Sequence, residues 1–298
     1  MLGREQELFQ SVKSIEYVCY RASEATDDEL KRLLRELPGA GVMLIELDAQ
    51  ECGAVGEQAV GNRHDWISPC SETTLLLAGS PQTLALAEGT KMATVGFGSV
   101  TSGVDILVEG FEEVDVQFLD RIMKRAQGLP WITVVTERCY LREITPDDLD
   151  DLFALYAQPG ITDYTEPLYE RPREEQYTRD YIDKMYRFYG YGMWLVCDRE
   201  TGELIGRAGF SHQDLGDEIV LEMGYIIGVP YQRQGYAKEV CEKLIEFART
   251  NLSDFGTLNC FVEPGNTASH GLMEKLRFER IGMVKIGEKM MVRYEIEL

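Results

Sequence analysis

A glycine-bearing turn between an apolar strand and an amphipathic helix is the part of this sequence that most clearly suggests chemistry. Residues 219–227 are dense in apolar side chains, as in a buried strand, and residues 240–248 repeat apolar side chains at helical spacing. Between them lies the segment Gln-Arg-Gln-Gly-Tyr-Ala at 232–237. A glycine at a helix start lets a ligand approach backbone N–H groups that have no partner within the helix, at the positive end of the helix dipole. The turn therefore predicts an anion site, and a diphosphate is the usual occupant of such a site.

This turn also resembles motif A of the GNAT acetyltransferase superfamily, Gln/Arg-x-x-Gly-x-Gly/Ala, through Gln232, Gly235 and Ala237. In that family the backbone amides of the motif hold the diphosphate of acetyl-coenzyme A. The resemblance also implies that strand 219–227 splays from its neighbour, which frees backbone groups for the pantetheine amides. It assigns to the coenzyme Ile227, Val229, Gln232, Arg233, Gln234, Gly235, Tyr236 and Ala237. The alternative is a plain strand–turn–helix, with an ordinary paired ladder and a glycine that only eases the turn.

A second match to this superfamily lies downstream, at Asn266 and Ser269. These residues resemble the family's strand–Asn-x-x-Ser–helix segment. There the asparagine reaches the pantetheine arm or orders the loop beside it, and the serine lies near the diphosphate end. Asn266 is equally well placed to cap a helix. The sequence departs from the family pattern at Arg277, where a glycine usually precedes the phenylalanine.

Glu222 is the candidate general base, because an amine must lose a proton before it can accept an acetyl group. It lies in Glu-Met-Gly-Tyr at 222–225, which resembles the Glu-x-Gly-Tyr of ribosomal-protein N-terminal acetyltransferases and their small-molecule relatives. Burial on a strand would raise the pKa of this carboxyl group, which suits a base. A structural glutamate paired with a lysine or arginine is the alternative. His212 and His270 are weaker candidates.

The departing thiolate needs a proton donor, and the family often places a tyrosine in the helix after the asparagine. The matching position here is about Met273, whose thioether cannot donate a proton. Tyr236 or Tyr294 could take its place.

An acidic, tyrosine-rich loop at 158–172 is the expected source of the acceptor pocket. Asp163, Tyr164 and Glu166 in this loop could bind a cation. A solvated acidic loop is the plainer interpretation.

The elements from residue 133 to the end follow the order of the GNAT fold. Thr145 as N-cap and Pro146 at the first helical position predict a helix that runs to residue 157. The other predicted elements are strands at 139–144, 192–197, 204–211, 219–227, 257–262, 279–286 and 290–297, and helices at 174–189 and 267–276. We therefore predict an α+β domain over 133–298 with a central mixed, mostly antiparallel sheet.

Strands alternate with helices before residue 132, which predicts a second domain over 1–132 with a Rossmann-like parallel sheet. The predicted strands lie at 15–20, 42–47, 73–78, 93–97 and 105–108. Helices are predicted at 1–14, at 27–37 after a capping box on Thr26, from Pro81, and at 115–127. Residues 75–96 resemble the last motif of the haloacid dehalogenase (HAD) family.

The chemistry of that phosphatase family is missing from this domain. Such enzymes need a nucleophilic aspartate and a second aspartate at the end of the first strand, where Mg²⁺ bridges nucleophile and phosphate. Here the first strand ends in Cys-Tyr-Arg at 19–21, Ser80 stands in place of the last motif's aspartate, and Thr83 at its later acidic position. Asp48 alone would bind Mg²⁺ poorly. The sequence predicts a degenerate, non-catalytic HAD-like domain, with a plain flavodoxin-like module as the alternative.

Composition sets the broad class of the protein. The chain has 298 residues, a formal net charge of −21 and no basic stripe, so no nucleic-acid partner is expected. The seven scattered cysteines indicate reduced thiols in the cytoplasm, and neither they nor the three histidines have metal-site spacing. No apolar run is long enough to span a membrane.

Taken together, these patterns predict an N-acetyltransferase that uses acetyl-coenzyme A. The acceptor is a primary amine of a small molecule or a peptide N-terminus, and the long closing strands could pair in a homodimer. Two alternatives stay open: a non-catalytic coenzyme A-binding sensor or interaction protein, and a phosphatase acting through residues 1–130.

Overall fold

The structure, a computed structural model, describes residues 15–47, 72–216 and 218–298 of the chain. The helix predicted at 1–14 and the lone carboxylate Asp48 lie outside the described residues. The chain divides into two compact units, Met1–Trp131 and Ile132–Leu298. Each unit has a sheet of its own.

The first unit contains a five-stranded sheet whose strands all run parallel, as the sequence predicts. The strands are β1 (Tyr17–Tyr20), β2 (Met43–Glu46), β3 (Thr74–Ala78), β4 (Ala93–Gly96) and β5 (Ile106–Leu107). Their order across the sheet is β2-β1-β3-β4-β5, the order of flavodoxin-like sheets. β3 and β4 are buried along their whole length, as expected for inner strands of a parallel sheet. The HAD-like assignment stays a prediction.

The α-helices among the described residues of this unit begin at side-chain caps. They are α1 (Asp28–Glu36), α2 (Pro81–Leu84) and α3 (Val116–Ala126). The predicted capping box on Thr26 is wrong, because the carboxylate of Asp27 caps α1 by accepting the Leu30 N–H at 2.9 Å. A charged cap gains more from the positive helix end than a hydroxyl does. Glu29 would have closed the box, but it pairs instead with Arg32, with 2.6 Å between Oε2 and Nε.

The second unit contains an eight-stranded sheet that is mixed and mostly antiparallel, which confirms the predicted sheet type. Its strands are β6 (Ile132–Val135), β7 (Cys139–Arg142), β8 (Met193–Asp198), β9 (Leu204–Asp214), β10 (Ile219–Ile227), β11 (Thr257–Val262), β12 (Glu279–Ile286) and β13 (Lys289–Glu297). Their order is β12-β13-β11-β10-β9-β8-β7-β6, and only the β10–β11 pair is parallel. β6 has no counterpart in the sequence prediction.

Four helices of the described residues pack on this sheet. They are α4 (Leu149–Tyr156), α5 (Arg171–Tyr181), α6 (Tyr236–Asn251) and α7 (Thr267–Lys275). The cap at Thr145 is confirmed as a capping box with Asp148, and a short 3₁₀ turn leads from it into α4.

The helix predicted at 174–189 differs from the observed one at both ends. It starts earlier, at Arg171, and after Tyr181 it widens into a π-helical turn, Ile182–Tyr186. Hydroxyl groups hold this turn on the sheet: Tyr186 donates to the Met193 carbonyl at 2.6 Å, and Tyr181 accepts the Met193 N–H at 2.7 Å. Such π turns often occur where a helix borders a functional site.

The apolar face predicted for α6 is buried against the sheet. Val240 and Leu244 are fully buried. Phe247 lies on the Trp194 and Phe210 rings, with centroids 5.2 and 5.9 Å away. This packing holds the start of α6 beside the end of β10.

Candidate functional site

Strands β10 and β11 of the second unit separate from each other partway along their length. β10 pairs with β9 over its whole length, from Ile219 to Ile227. With β11 it pairs only at Leu221 and Glu222. The predicted splay is therefore confirmed, and it leaves the second half of β10 with a sheet edge that another group could occupy.

A cavity of about 590 Å³ opens at this divergence. Its walls come from α4 and α5, the 164–169 loop, β9, β10, β11 and the first turn of α7. Among the predicted residues, Glu222, Asn266, Ser269, His212, Tyr164 and Glu166 line it. Asp163, Tyr236 and Tyr294 do not line it. Asp163 is exposed to solvent.

Glu222 faces Ser211 across the β9–β10 pair, and the serine hydroxyl donates to its Oε2 at 3.4 Å. No lysine or arginine of the described residues forms an ion pair with Glu222, so the alternative of a structural ion pair finds no partner there. Burial raises the pKa of the Glu222 carboxyl group to about 7, with a small opposing effect of Ser211. Near neutral pH this group can therefore accept and release a proton.

Tyr225, three residues further along β10, is a cavity residue that the sequence reasoning left without a role. Its hydroxyl oxygen is buried and forms no hydrogen bond of normal geometry with the described residues. Burial raises the pKa of Tyr225, and the side chain of Ser269 is the neighbour that lowers it. The motif Glu-x-Gly-Tyr contained a signal for this residue, because its tyrosine stands at a fixed distance from the candidate base.

Asn266 caps α7, so the helix-cap interpretation is confirmed. Its side-chain oxygen accepts the Ser269 N–H at 3.1 Å. This bond places Ser269 on the cavity side of the first turn. A coenzyme contact of Asn266 stays a prediction.

The glycine turn has the backbone geometry of an open helix start. Gly235 is the N-cap of α6 with a φ of 89° and no side-chain cap, and Arg233 also has a positive φ of 59°. The first backbone bond of the helix runs from the Glu239 N–H to the Gly235 carbonyl at 3.1 Å. The N–H groups of the first turn therefore have no acceptor inside the helix. A side chain at Gly235 would meet only the tip of Arg138, 3.5 Å from its Cβ position.

Glutamine side chains hold the backbone groups that the sequence assigns to pantetheine. Gln232 donates to the Ile227 carbonyl at 2.9 Å, and the Val229 N–H donates to Gln158 at 2.6 Å. Gln234 donates to the Pro230 carbonyl at 2.6 Å. Flexible amide side chains can give way to a ligand that offers the same donors and acceptors.

Arg138 supports the turn and was missed in the sequence. Its Nη1 donates to the Gln234 carbonyl at 3.1 Å, its Nε pairs with Glu239 at 2.7 Å, and its guanidinium covers the Tyr236 ring at 4.0 Å. Arg138 lies just before β7, and only the fold brings it to the turn, so no local pattern could have indicated it.

The other predicted donor and the acidic loop have partners inside the protein. The Tyr294 hydroxyl bonds to Nδ1 of His270 at 2.9 Å. Glu166 pairs with Lys289 at 3.3 Å, and the same lysine pairs with Glu263 at 2.7 Å. Tyr164 donates to the Gly265 carbonyl at 3.0 Å. The loop is therefore tied to the 263–265 turn, and Glu166 shares its lysine partner with Glu263.

Among the described residues, no group of three or more His, Cys, Asp or Glu side chains is arranged to hold a metal ion. In the same part of the chain, no helix is long and apolar enough to cross a membrane.

Comparison with known proteins relates one half of the chain to acetyltransferases. The profile of the acetyltransferase (GNAT) domain matches residues 138–279. The uncharacterized N-acetyltransferase p20 of Bacillus licheniformis is 30% identical over 162 residues, which cover 53% of this chain and 88% of that protein. The uncharacterized protein YkkB of Bacillus subtilis (strain 168) is 27% identical over 166 residues, which cover 54% of this chain and 94% of that protein. The solved acetyltransferase from Agrobacterium tumefaciens str. C58 aligns with a TM-score of 0.47 and 24% identity, covering 56% of this chain and 96% of its own.

Proposed function

Because the chain belongs to the GNAT family of N-acetyltransferases, we propose that it transfers an acetyl group directly to a primary amine of a small molecule or a peptide N-terminus. Its cofactor is acetyl-coenzyme A, which supplies the acetyl group activated as a thioester. The observation that carries the proposal is Glu222, a carboxyl group without a basic partner among the described residues, in a cavity at the splayed end of β10.

The residues of the second unit fit this cofactor in two places. The start of α6 offers uncapped N–H groups beside a glycine, where a side chain would take up the space of a diphosphate. The free edge of β10 offers backbone groups to the pantetheine amides, once the glutamine side chains give way. The proposed cofactor-binding residues are Ile227, Val229, Gln232, Arg233, Gln234, Gly235, Tyr236, Ala237, Asn266 and Ser269.

Glu222 is the proposed base. It takes a proton from the acceptor amine, directly or through a water molecule, so that the amine nitrogen can form its bond to the acetyl carbon. A carboxyl group with a pKa of about 7 is a strong enough base for this step and is still deprotonated in part of the molecules at neutral pH.

We propose Tyr225 as the proton donor for the departing thiolate, in preference to Tyr236. The Tyr225 hydroxyl is buried at the divergence of β10 and β11, beside Ser269, and has no protein acceptor to which it must stay bonded. Tyr236 lies under the Arg138 guanidinium and outside the cavity. This phenol can protonate the thiolate as the carbon–sulfur bond breaks, because its raised pKa keeps the hydroxyl protonated until the departing sulfur takes the proton.

Coenzyme A release from acetyl-coenzyme A with a panel of amines tests the proposal. We expect amine-dependent thiol release and an acetylated product in the mass spectrum. A protein that binds coenzyme A in calorimetry but acetylates no amine of the panel would instead be the non-catalytic sensor.

For the first unit we propose a parallel-sheet domain without phosphatase chemistry, with the strand order of a flavodoxin-like module. The carboxyl ends of β1 and β3 are closed by Glu24, which accepts the Gly79 N–H at 2.8 Å, the Ser80 hydroxyl at 2.5 Å and the Thr83 hydroxyl at 2.6 Å. A carboxylate held by three donors is a poor nucleophile, because its lone pairs are engaged. Phosphate release with Mg²⁺ is the test.

A further inference from the structure

Arg207 stands on the same face of the sheet as the proposed base. It lies on β9 four residues before Ser211, and residues four apart on a strand point to the same side. Ser211 pairs with Glu222, and Arg207 pairs with Ile226. Arg207 and Glu222 therefore face one side of the sheet, roughly 13 Å apart along the strand direction at 3.3 Å per residue.

Two glycines form the floor between these charged side chains. Gly209 of β9 pairs with Gly224 of β10, in the row between Arg207–Ile226 and Ser211–Glu222. The Met193 side chain lies over this row, with its Sδ and Cε 3.5 Å from the position that a Cβ of Gly224 would take, and Met193 also lines the cavity. Arg207, Gly224 and Glu222 all line the 590 Å³ cavity.

No carboxylate of the described residues forms an ion pair with Arg207, and its Nε is buried without a hydrogen-bond acceptor. Its neighbours are aromatic: the Tyr181 ring, 5.8 Å from the guanidinium carbon, and the Tyr156 hydroxyl. Arginine stays protonated in proteins, so this cavity wall carries a permanent positive charge.

The other acidic groups of the cavity make their described contacts with groups other than Arg207. Glu174 accepts the Tyr169 N–H at 2.9 Å. Glu166 and Glu263 share Lys289. A buried charge without a partner is costly, so a ligand that supplies an anion here would gain the interaction that the protein leaves open.

We propose that Arg207 binds a carboxylate of the acceptor, so that the enzyme acetylates amines that also carry an acidic group. The inference rests on the proposed acetyl transfer. The amine nitrogen lies at Glu222, the acceptor chain passes along Gly224 and Met193, which line the cavity between the two charged groups, and the carboxylate meets the planar guanidinium, whose geometry suits it. An amino acid with a separated amine and carboxylate and a peptide with an acidic residue after its N-terminus share this chemistry.

Matched acceptors test the inference. The specificity constant kcat/KM is measured for two series of matched pairs. The first compares amino acids of increasing chain length with the alkylamines that lack the carboxylate. The second compares peptides that have an acidic residue after the N-terminus with peptides that have the corresponding amide residue there. We expect the carboxylate-bearing member of at least one pair to be preferred by roughly 10- to 100-fold, the usual worth of a charged hydrogen bond. The series that shows the larger preference indicates whether the acceptor is a small molecule or a peptide.

Arg207→Gln should abolish this preference, mainly through a higher KM for the acidic acceptor, and leave kcat/KM for the neutral amine within a factor of about three. Arg249→Gln, which removes the same charge from a surface position on α6, should keep the preference. Arg207→Met should not lower the melting temperature, because an unbalanced buried charge is replaced by an apolar chain of similar length.

Equal rates for the two members of every pair, or a preference that survives in Arg207→Gln, would overturn the inference while leaving acetyl transfer intact. Absence of acetylation with every amine would instead contradict the proposed function.

Discussion

At the scale of single residues, the sequence indicated Glu222 but not its surroundings. Its position in Glu-x-Gly-Tyr and on an apolar strand could be read directly. The sequence could not show that Ser211 lies opposite Glu222, or that no basic residue of the described chain pairs with it, because strand register decides which side chains meet. For Tyr225 the motif gave the position of the side chain, but only the structure shows that its hydroxyl is buried without a hydrogen-bond partner among the described residues.

Glu222→Gln is expected to lower kcat by roughly 10²- to 10⁴-fold, the usual worth of general acid–base catalysis. The glutamine keeps the shape and the Ser211 contact but cannot accept the proton. In the parent protein the rate should rise with pH through about 7, where the carboxyl group loses its proton, and the variant should lack this limb. Steady-state rates between pH 5.5 and 8.5 measure both effects.

Stability gives an independent check on the same residue. Burial raises the folded pKa of Glu222, so its contribution to stability is present below the unfolded pKa and is lost as pH rises through about 7. The melting temperature of Glu222→Gln relative to the parent should therefore increase from pH 5 to pH 8. Glu274→Gln, at an exposed position of α7, should change neither kcat nor the pH dependence of the melting temperature.

Parent-like turnover in Glu222→Gln would show that Glu222 is not the base, and the candidates would then be His212, Asp163 and Glu166.

Tyr225→Phe is expected to reduce kcat by roughly 10- to 100-fold, at the lower end of general acid catalysis. Stability should change little, because the lost hydroxyl has no partner of normal geometry. Tyr236→Phe is the matched comparison, since it removes the donor that the sequence indicated. A large loss in Tyr236→Phe and none in Tyr225→Phe would reverse the assignment.

At the scale of elements, strong periodicity was predictable and local distortion was not. The bounds predicted for β10 and β11 agree with the structure, because dense apolar runs between glycine and proline have few other solutions. The π turn at Ile182–Tyr186 was not predictable, since it depends on hydroxyl bonds to the distant residue Met193. β6 was missed because a short edge strand has little pattern of its own. The splay of β10 came from the family resemblance rather than from periodicity.

The start of α6 is the element on which cofactor affinity should depend. Gly235→Val is expected to weaken coenzyme A binding by roughly 10- to 100-fold, because a branched side chain would enter the space above the uncapped N–H groups and would strain a φ of 89°. Calorimetry measures the affinity. Gly256→Val introduces similar strain at a φ of 70° with no atom within 4 Å, outside the proposed site. If both variants lose affinity equally, strain rather than the anion site is the cause.

At the scale of the whole molecule, an acetyltransferase unit is joined to a parallel-sheet unit of a different kind. The change of pattern near residue 130, from alternating strands and helices to the element order of the GNAT fold, made the two units predictable. The alternating strands and helices made the first sheet predictable as parallel. The protein family of the first unit could not be predicted, because the strand order of a doubly wound sheet is shared by proteins of many functions. Only the residues at the carboxyl ends of the strands can indicate chemistry there.

From those residues we expect that the full chain releases no phosphate from phosphomonoesters with Mg²⁺. The carboxyl end of β1 continues into Arg21 and that of β3 into Gly79 and Ser80. The Glu24 carboxylate is held there by donors of Gly79 and Ser80 in the β3–α2 turn and of Thr83 in α2. Such a carboxylate stabilises the turn, and it cannot attack phosphorus without giving up these bonds. Phosphate release should be the same with Mg²⁺ and with a chelator, and calorimetry should show no Mg²⁺ binding. Glu24→Gln should lower the melting temperature, because an amide cannot accept all three hydrogen bonds. Mg²⁺-dependent turnover that persists in Glu222→Gln, where acetyl transfer is disabled, would show that the first unit is an enzyme after all.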